Sequence, residues 1–192
     1  MSFGFGVEVG SIRDAIAVAE KIKGGKILFF AAANNNGLNE SEMYPAFSEA
    51  VISVRGTSCT GAFEPRYNPS SWGHKAGMPQ YGTLALDVSC GWPRGSLVKK
   101  GCSVATPILA AIAALIISFV DLNVDNLFQD AEAIVRTRRG ILSVFHAMTE
   151  SQGQKDRLYL APSQLYEHSN GQPVFLLGHA LLKVPQMDGE TV

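Results

Sequence analysis

The run from Val104 to Val120 constrains the fold more than any other segment. It is apolar on every side, interrupted only by Thr106, Pro107 and Ser118. A helix of that composition must be wrapped all round, by lipid or by other protein layers. Its length falls at or below what a bilayer crossing needs, and polar residues sit inside it, so it reads as a buried core helix. Pro107, a residue type favoured at the first helical position, sets the expected start.

The layers around such a helix are legible upstream. Ile12, Ala15, Ile16, Ala19 and Ile22 recur at helical spacing, which predicts a helix over Ser11–Lys23. Ser11 and Asp14 have capping-box-like spacing at its start, and Gly24-Gly25 offer a left-handed exit. Lys26–Ala33 is a short continuous apolar run, as expected of a strand buried on both faces of a parallel sheet. It ends abruptly in Asn34-Asn35-Asn36-Gly37. Further strands are predicted at Ala50–Arg55 and Thr83–Val88, with a loop rich in Ser, Gly, Pro and Asn over Thr57–Gly82. Helical patterns resume near Asn126–Val135 and Thr137–Met148, and Val174–Leu177 reads as a strand. Helices alternating with buried strands give an α/β layer architecture.

Composition removes several function classes. The 192 residues suffice for one domain with a real core. A formal net charge of -1 with 17% charged residues leaves no basic excess for nucleic acid and no acidic excess for disorder. Cys59, Cys90 and Cys102 show no C-x-x-C spacing, so free thiols in a reducing compartment are expected, rather than a zinc site or disulfide scaffold. No carboxylate cluster has ligand spacing; neither metal nor cofactor is expected. The N-terminus lacks a basic region followed by an apolar one, so there is no secretory signal, and a cytoplasmic location is expected.

The segment that carries chemistry is Gly101-Cys102-Ser103-Val104-Ala105-Thr106-Pro107. A serine just before a Pro-led helix lies where backbone N–H groups are unpaired and the helix dipole is positive. On those grounds alone it reads first as a helix cap. Yet the segment resembles the Gly-Thr-Ser-Met-Ala-Thr-Pro nucleophile motif of the subtilisin-family serine proteases, the subtilases, and other landmarks follow in the same order. Phe29–Gly37 is similar to the strand ending in Ala-Ala-Ala-Gly-Asn-x-Gly. Tyr44-Pro45-Ala46 with Val51–Val54 resembles the Tyr-Pro turn and next strand, and Leu86-Asp87-Val88 with Gly91 resembles the segment ahead of the nucleophile. Met1-Ser2-Phe3-Gly4 looks like the strand lining the substrate cleft.

That resemblance, over roughly Met1–Leu115, implies a subtilisin-like three-layer α/β/α sandwich with a mostly parallel sheet and its N-terminal part missing. Residues 1–150 would be a partial catalytic domain, and 151–192 a C-terminal extension of it or a tail. It implies serine endopeptidase chemistry, with Ser103 as nucleophile, Asn35 in the oxyanion hole, and Ser2, Phe3, Gly4, Ala33 and Asn34 against an extended polypeptide substrate. Removing one oxyanion donor from a subtilisin costs about 3–4 kcal/mol of transition-state stabilisation. Nothing here resembles the family's aspartate or histidine motifs, which precede the cleft strand. His74, His146, His168 and His179 match no family position, and a serine without its base is a weak nucleophile. The chain alone is therefore expected to be inactive, with its missing N-terminal half as a partner. The alternative is a degenerate, non-catalytic subtilase fold that acts as a peptide-binding or interaction module. Asn34 stands where the family has glycine, and Cys102 where it has threonine. A thiol beside a helix N-terminus can be reactive, but as a small buried residue Cys102 is the plainer reading.

Overall fold

In the computed structural model, residues 5–71, 77–92, 95–149, 156–167 and 171–184 are described. Strands β1 (Phe29–Ala32), β2 (Val51–Thr57), β3 (Gln80–Leu84) and β6 (Arg157–Tyr159) form a 4-stranded sheet in the order β1-β2-β3-β6. Every pairing in it is parallel. A separate antiparallel hairpin joins β4 (Val88–Trp92) to β5 (Gly95–Lys99). The helices are α1 (Gly10–Lys23), α2 (Cys102–Leu122), α3 (Ala131–Val135), α4 (Arg138–Thr149), α5 (Gln164–Glu167) and α6 (Pro173–Leu182).

Helix α2 is the organiser. By length and composition it could cross a membrane, but it packs against β1, β2 and β3 on one side and α3 on another. Leu109, Ile112, Ala113, Ile116 and Val120 are buried at helical spacing and meet Ile52 and Val54 of β2 in one core. All seven residues of β2 are buried. Because side chains alternate along a strand, Ser53 and Arg55 take the face opposite Ile52 and Val54. There Arg55, 2% exposed, pairs with Glu42 at 3.2 Å.

Several expectations need correcting. Helix α2 starts at Cys102, not at Pro107, which lies inside it. The positive φ of Gly101 (115°) ends the preceding chain and makes it the N-cap. Pro107 lacks the N–H that would bond the Ser103 carbonyl one turn back, and the first turn absorbs that loss. Helix α1 begins after Val9 with no side-chain cap, so the Ser11/Asp14 capping box does not form, and none of its residues is buried. Strand β1 is shorter than Lys26–Ala33 and only half-buried, because among the described residues it is the sheet's edge. The Thr83–Val88 prediction straddles the end of β3 and the start of the hairpin. Only Ala131–Val135 of the Asn126–Val135 helix is α-helical. Val174–Leu177 is helix, not strand. Pro173, Leu177, Ala180 and Leu181 bury at a helical period against α4 and the core.

The C-terminal region is built into the same sheet. Strand β6 pairs with β3, and Leu160, Leu165 and Leu177 join the core formed around α2.

Candidate active site

The carboxyl ends of β1 and β3 point the same way, and both feed one place, as open parallel sheets commonly arrange their sites. Beyond β1, the chain runs through Ala33 and Asn34 to Asn35. Beyond β3, the Ala85 carbonyl accepts the Gly101 N–H at 2.8 Å, so the turn carrying Ser103 hangs from the strand's end. The two segments then meet directly. The Cys102 N–H donates to Asn35 Oδ1 at 2.8 Å.

That bond fixes the amide's orientation. With Oδ1 occupied, Asn35 presents Nδ2 as its free end, and among the described residues no acceptor takes it. The first-turn donors of α2 divide in the same way. Val104 and Ala105 N–H groups both donate to the Gly101 carbonyl, at 2.9 and 3.3 Å, whereas the Ser103 N–H has no acceptor among the described residues. Ser103 itself is exposed. An exposed hydroxyl and its unpaired backbone N–H thus stand at the positive end of a 21-residue helix, one residue from the Cys102 N–H that holds Asn35. Gly101 is required twice over. Its φ disfavours any side chain, and a Cβ there would lie 2.9 Å from Asn35 Oδ1.

Cys102 points inward. Its thiol is fully buried and donates to the carbonyls of Asn34 (3.1 Å) and Tyr67 (3.3 Å). Burial pushes its pKa from 9.0 up to about 11. It is a packed, protonated thiol. Exposed Cys59 is thus expected to react with iodoacetamide near neutral pH while Cys102 stays unmodified until the chain unfolds, as peptide mass spectrometry would register. The shift also sets a pH dependence. The unfolded chain releases this proton first, so stability is full below about pH 9 and falls by about 3 kcal/mol as pH rises towards 11.

Ala33 is fully buried, and both its backbone groups are taken, its N–H by Val54 and its carbonyl by Met43. The Asn34 side chain turns into its own loop. Its Nδ2 donates to Glu40 (3.0 Å) and the Ser41 carbonyl (2.9 Å), while its Oδ1 accepts the Asn36 N–H (3.0 Å). The Asn34 bond, and then one from Asn36 Nδ2 at 3.2 Å, hold the Glu40 carboxyl below its ordinary pKa. Ser2, Phe3 and Gly4 lie outside the described residues, as do His74 and His168. Phe5, next in the chain, exchanges backbone hydrogen bonds with Tyr44 at 2.9 and 2.7 Å. His146 and His179 are exposed, and neither bonds to Ser103. His179 shares a cavity with Asn126 and Leu127, past the far end of α2. At 1.5 Å rise per residue, that end lies roughly 30 Å from Ser103. Among the described residues, no group of His, Cys, Asp and Glu could hold a metal ion.

Comparison with solved structures bears on the fold. The chain superposes on the prenylagaramide maturation protease PagA with a TM-score of 0.57 at 20% identity, over 88% of this chain and 58% of that one. The fold is subtilisin-like. The self-cleaved protease domain of PatA gives 0.60 at 22% identity, over 89% and 61%. The PatG macrocyclase in complex with peptide gives 0.51 at 21%, over 73% and 40%. The chain thus spans about 58% of the PagA chain. No protein-family model and no curated protein matches it. Within the subtilisin-like frame, the hairpin β4–β5 is the part the sequence reading missed. It runs from beyond the end of β3 to just before Gly101, and the glycines and proline within Gly91–Gly95 are its only sequence signals.

Proposed function

We propose that this chain is the nucleophile and oxyanion part of a serine endopeptidase acting on extended polypeptides. The observation that carries the reading is the 2.8 Å bond from the Cys102 N–H to Asn35 Oδ1, which ties the amide to the residue preceding Ser103. In the proposed reaction Ser103 Oγ attacks the scissile carbonyl carbon and gives its proton to a base. Asn35 Nδ2 and the Ser103 N–H stabilise the oxyanion, and the C–N bond breaks as the base returns the proton to the leaving amine. Water then attacks the acyl-enzyme, with the base taking its proton, and releases the carboxylic acid and free Ser103. Ala33 and Asn34 would form the floor beneath the cleft, and Ser2–Gly4 its peptide-pairing edge. Residues 1–150 would hold this machinery, with 151–192 extending the same domain.

Among the described residues no base lies beside Ser103, which favours inactivity of the isolated chain. A fluorophosphonate probe is therefore expected to leave Ser103 unlabelled in the chain alone. Labelling should appear when a polypeptide carrying the family's aspartate and histidine motifs is supplied, fused upstream or in trans, and should vanish in Ser103→Ala. In that reconstituted form, Asn35→Leu should lower kcat by about 10²–10³ with little change in KM. Strong labelling of the chain alone, lost in Ser103→Ala, would show that it holds its own base. The same absence supports a second reading, a non-catalytic peptide-binding module. Reconstitution that never yields labelling, while extended peptides still bind, would favour it.

A further inference from the structure

The loop that carries Asn35 also holds a reactive dipeptide. Asn36 is followed by Gly37, a pair repeated in the chain only at Asn170-Gly171. In such a pair the glycine backbone nitrogen can attack the asparagine side-chain carbonyl carbon. The new C–N bond closes a five-membered succinimide, and the side-chain nitrogen leaves as ammonia, carrying the proton that the glycine N–H gives up. Water then adds across one C–N bond of the ring, leaving a carboxyl group and restoring an N–H, as aspartate or isoaspartate. Glycine hinders that closure least, because it has no Cβ.

Packing fixes the glycine in place. A Cβ on Gly37 would lie 2.6 Å from the Pro69 nitrogen and 2.9 Å from the Arg66 carbonyl oxygen. Asn36 is exposed, so water reaches it. What the fold does is hold each group that the reaction must move. The attacking nitrogen, Gly37 N–H, donates to the Arg66 carbonyl at 2.7 Å. Asn36 Nδ2 donates to Glu40 Oε1, and Asn36 Oδ1 accepts from Asn39 Nδ2, both at 3.2 Å. The Asn36 carbonyl accepts the N–H groups of Asn39 and Glu40, at 3.0 and 3.1 Å. Glu40 is the hub, since its other oxygen holds Asn34 Nδ2 at 3.0 Å.

We propose that Asn36 is a deamidation site that the fold keeps latched through Glu40 and the Arg66 carbonyl, released when this loop opens. The event is one-way. Deamidation puts a carboxylate where Asn36 Nδ2 now donates to Glu40, so attraction becomes repulsion. The isoaspartyl product also adds a backbone atom ahead of Gly37, which then misses its slot against Arg66 and Pro69. A loop that has opened and reacted does not reclose. On the reading proposed above, on which this consequence rests, the Asn35 amide one residue away would be displaced and the site retired for good.

Peptide-mapping mass spectrometry of the full chain, held at mildly alkaline pH, gives the rate at each Asn-Gly pair, and no readout depends on catalysis. In urea both pairs should deamidate readily, which sets the unlatched rate. In the folded chain Asn36 should react at least about tenfold more slowly than in urea. Glu40→Ala, with circular dichroism unchanged, should speed reaction at Asn36 at least about threefold. If that variant does not fold, Glu40→Gln is measured in its place with the same expectation. Val144→Ala, which opens a cavity in the core, should lower the urea midpoint but leave the rate at Asn36 unchanged. A folded rate equal to that in urea would overturn the proposal, as would indifference to the Glu40 substitution. Acceleration by Val144→Ala would mean release by global unfolding, and would overturn the latch as well.

Discussion

Arg55→Met is expected to cost about 3–5 kcal/mol of folding stability, a large part of what a domain this size possesses. The reason is what it leaves behind. The Glu42 side chain is 1% exposed, and its Oε1 receives its hydrogen bond from Arg55. Without the guanidinium, a carboxylate sits in the interior with neither oxygen satisfied. The Pro69 carbonyl and Ser71 hydroxyl lose their donor as well. Replacing both partners removes the stranded charge. The double variant Arg55→Met/Glu42→Leu should therefore recover most of the loss, since well-packed apolar residues often match or exceed a buried ion pair. Urea midpoints at matched protein concentration, taken as a double-mutant cycle, measure the coupling. A single variant within about 1 kcal/mol of the parent would mean that the pair is hydrated rather than buried.

That pair also marks a boundary in what the sequence discloses. Val51–Val54 announces a strand through its apolar residues, but nothing nearby states that Arg55, in the same strand, will be buried. Its carboxylate comes from a loop 13 residues upstream, and two further partners lie 14 and 16 residues downstream. Local pattern carries local structure. The α1 and α4 helices and the core character of α2 follow from apolar periodicity, which any fold must obey. The small elements behave otherwise. Strand β6 exists because β3 offers it a parallel edge, and Arg157–Tyr159 has no strand signal of its own. Helix α6 is apolar over Val174–Leu177, a run short enough to read as a strand. In the fold Pro173, Leu177, Ala180 and Leu181 bury at a helical period.

The candidate site divides along the same line. Its residue types were visible because chemistry demands them at short range. A serine followed by a helix, and an asparagine after a strand, are local patterns that the family resemblance joined. The bond that links them spans 67 residues and depends on both strands ending at the same level of the sheet. The start of α2 was misplaced because Pro107 carries a strong local preference for the first helical position. The preference was overridden by Gly101, whose left-handed backbone and bond to Ala85 fix the helix five residues earlier than Thr106-Pro107 would suggest.

The isolated chain is expected to associate rather than run as a monomer. Helix α1 buries none of its residues, and Val18 and Ile22 are 56% and 71% exposed, with Val7 nearby in sequence at 73%. The outer stripe of α2 is open too, with Leu115 at 60% and Leu122 at 85% exposed. Beside them β1 offers an edge unpaired among the described residues, and an unpaired edge invites another strand. At about 25 cal/mol per Å², covering a few hundred Å² of such surface yields several kcal/mol, comparable with the stability of a whole domain. Patches of that size on one molecule favour association. Size-exclusion chromatography with light scattering should therefore give a species larger than a monomer, or a complex when the complementary half of the subtilisin-like fold is present. Val18→Glu with Ile22→Lys should shift the population towards monomer if α1 is the sticky face. A monodisperse parent that melts cooperatively as a monomer would refute the expectation. It would mean that these surfaces are tolerated in a self-sufficient domain, and would move the weight of inference from the protease part to the peptide-binding module.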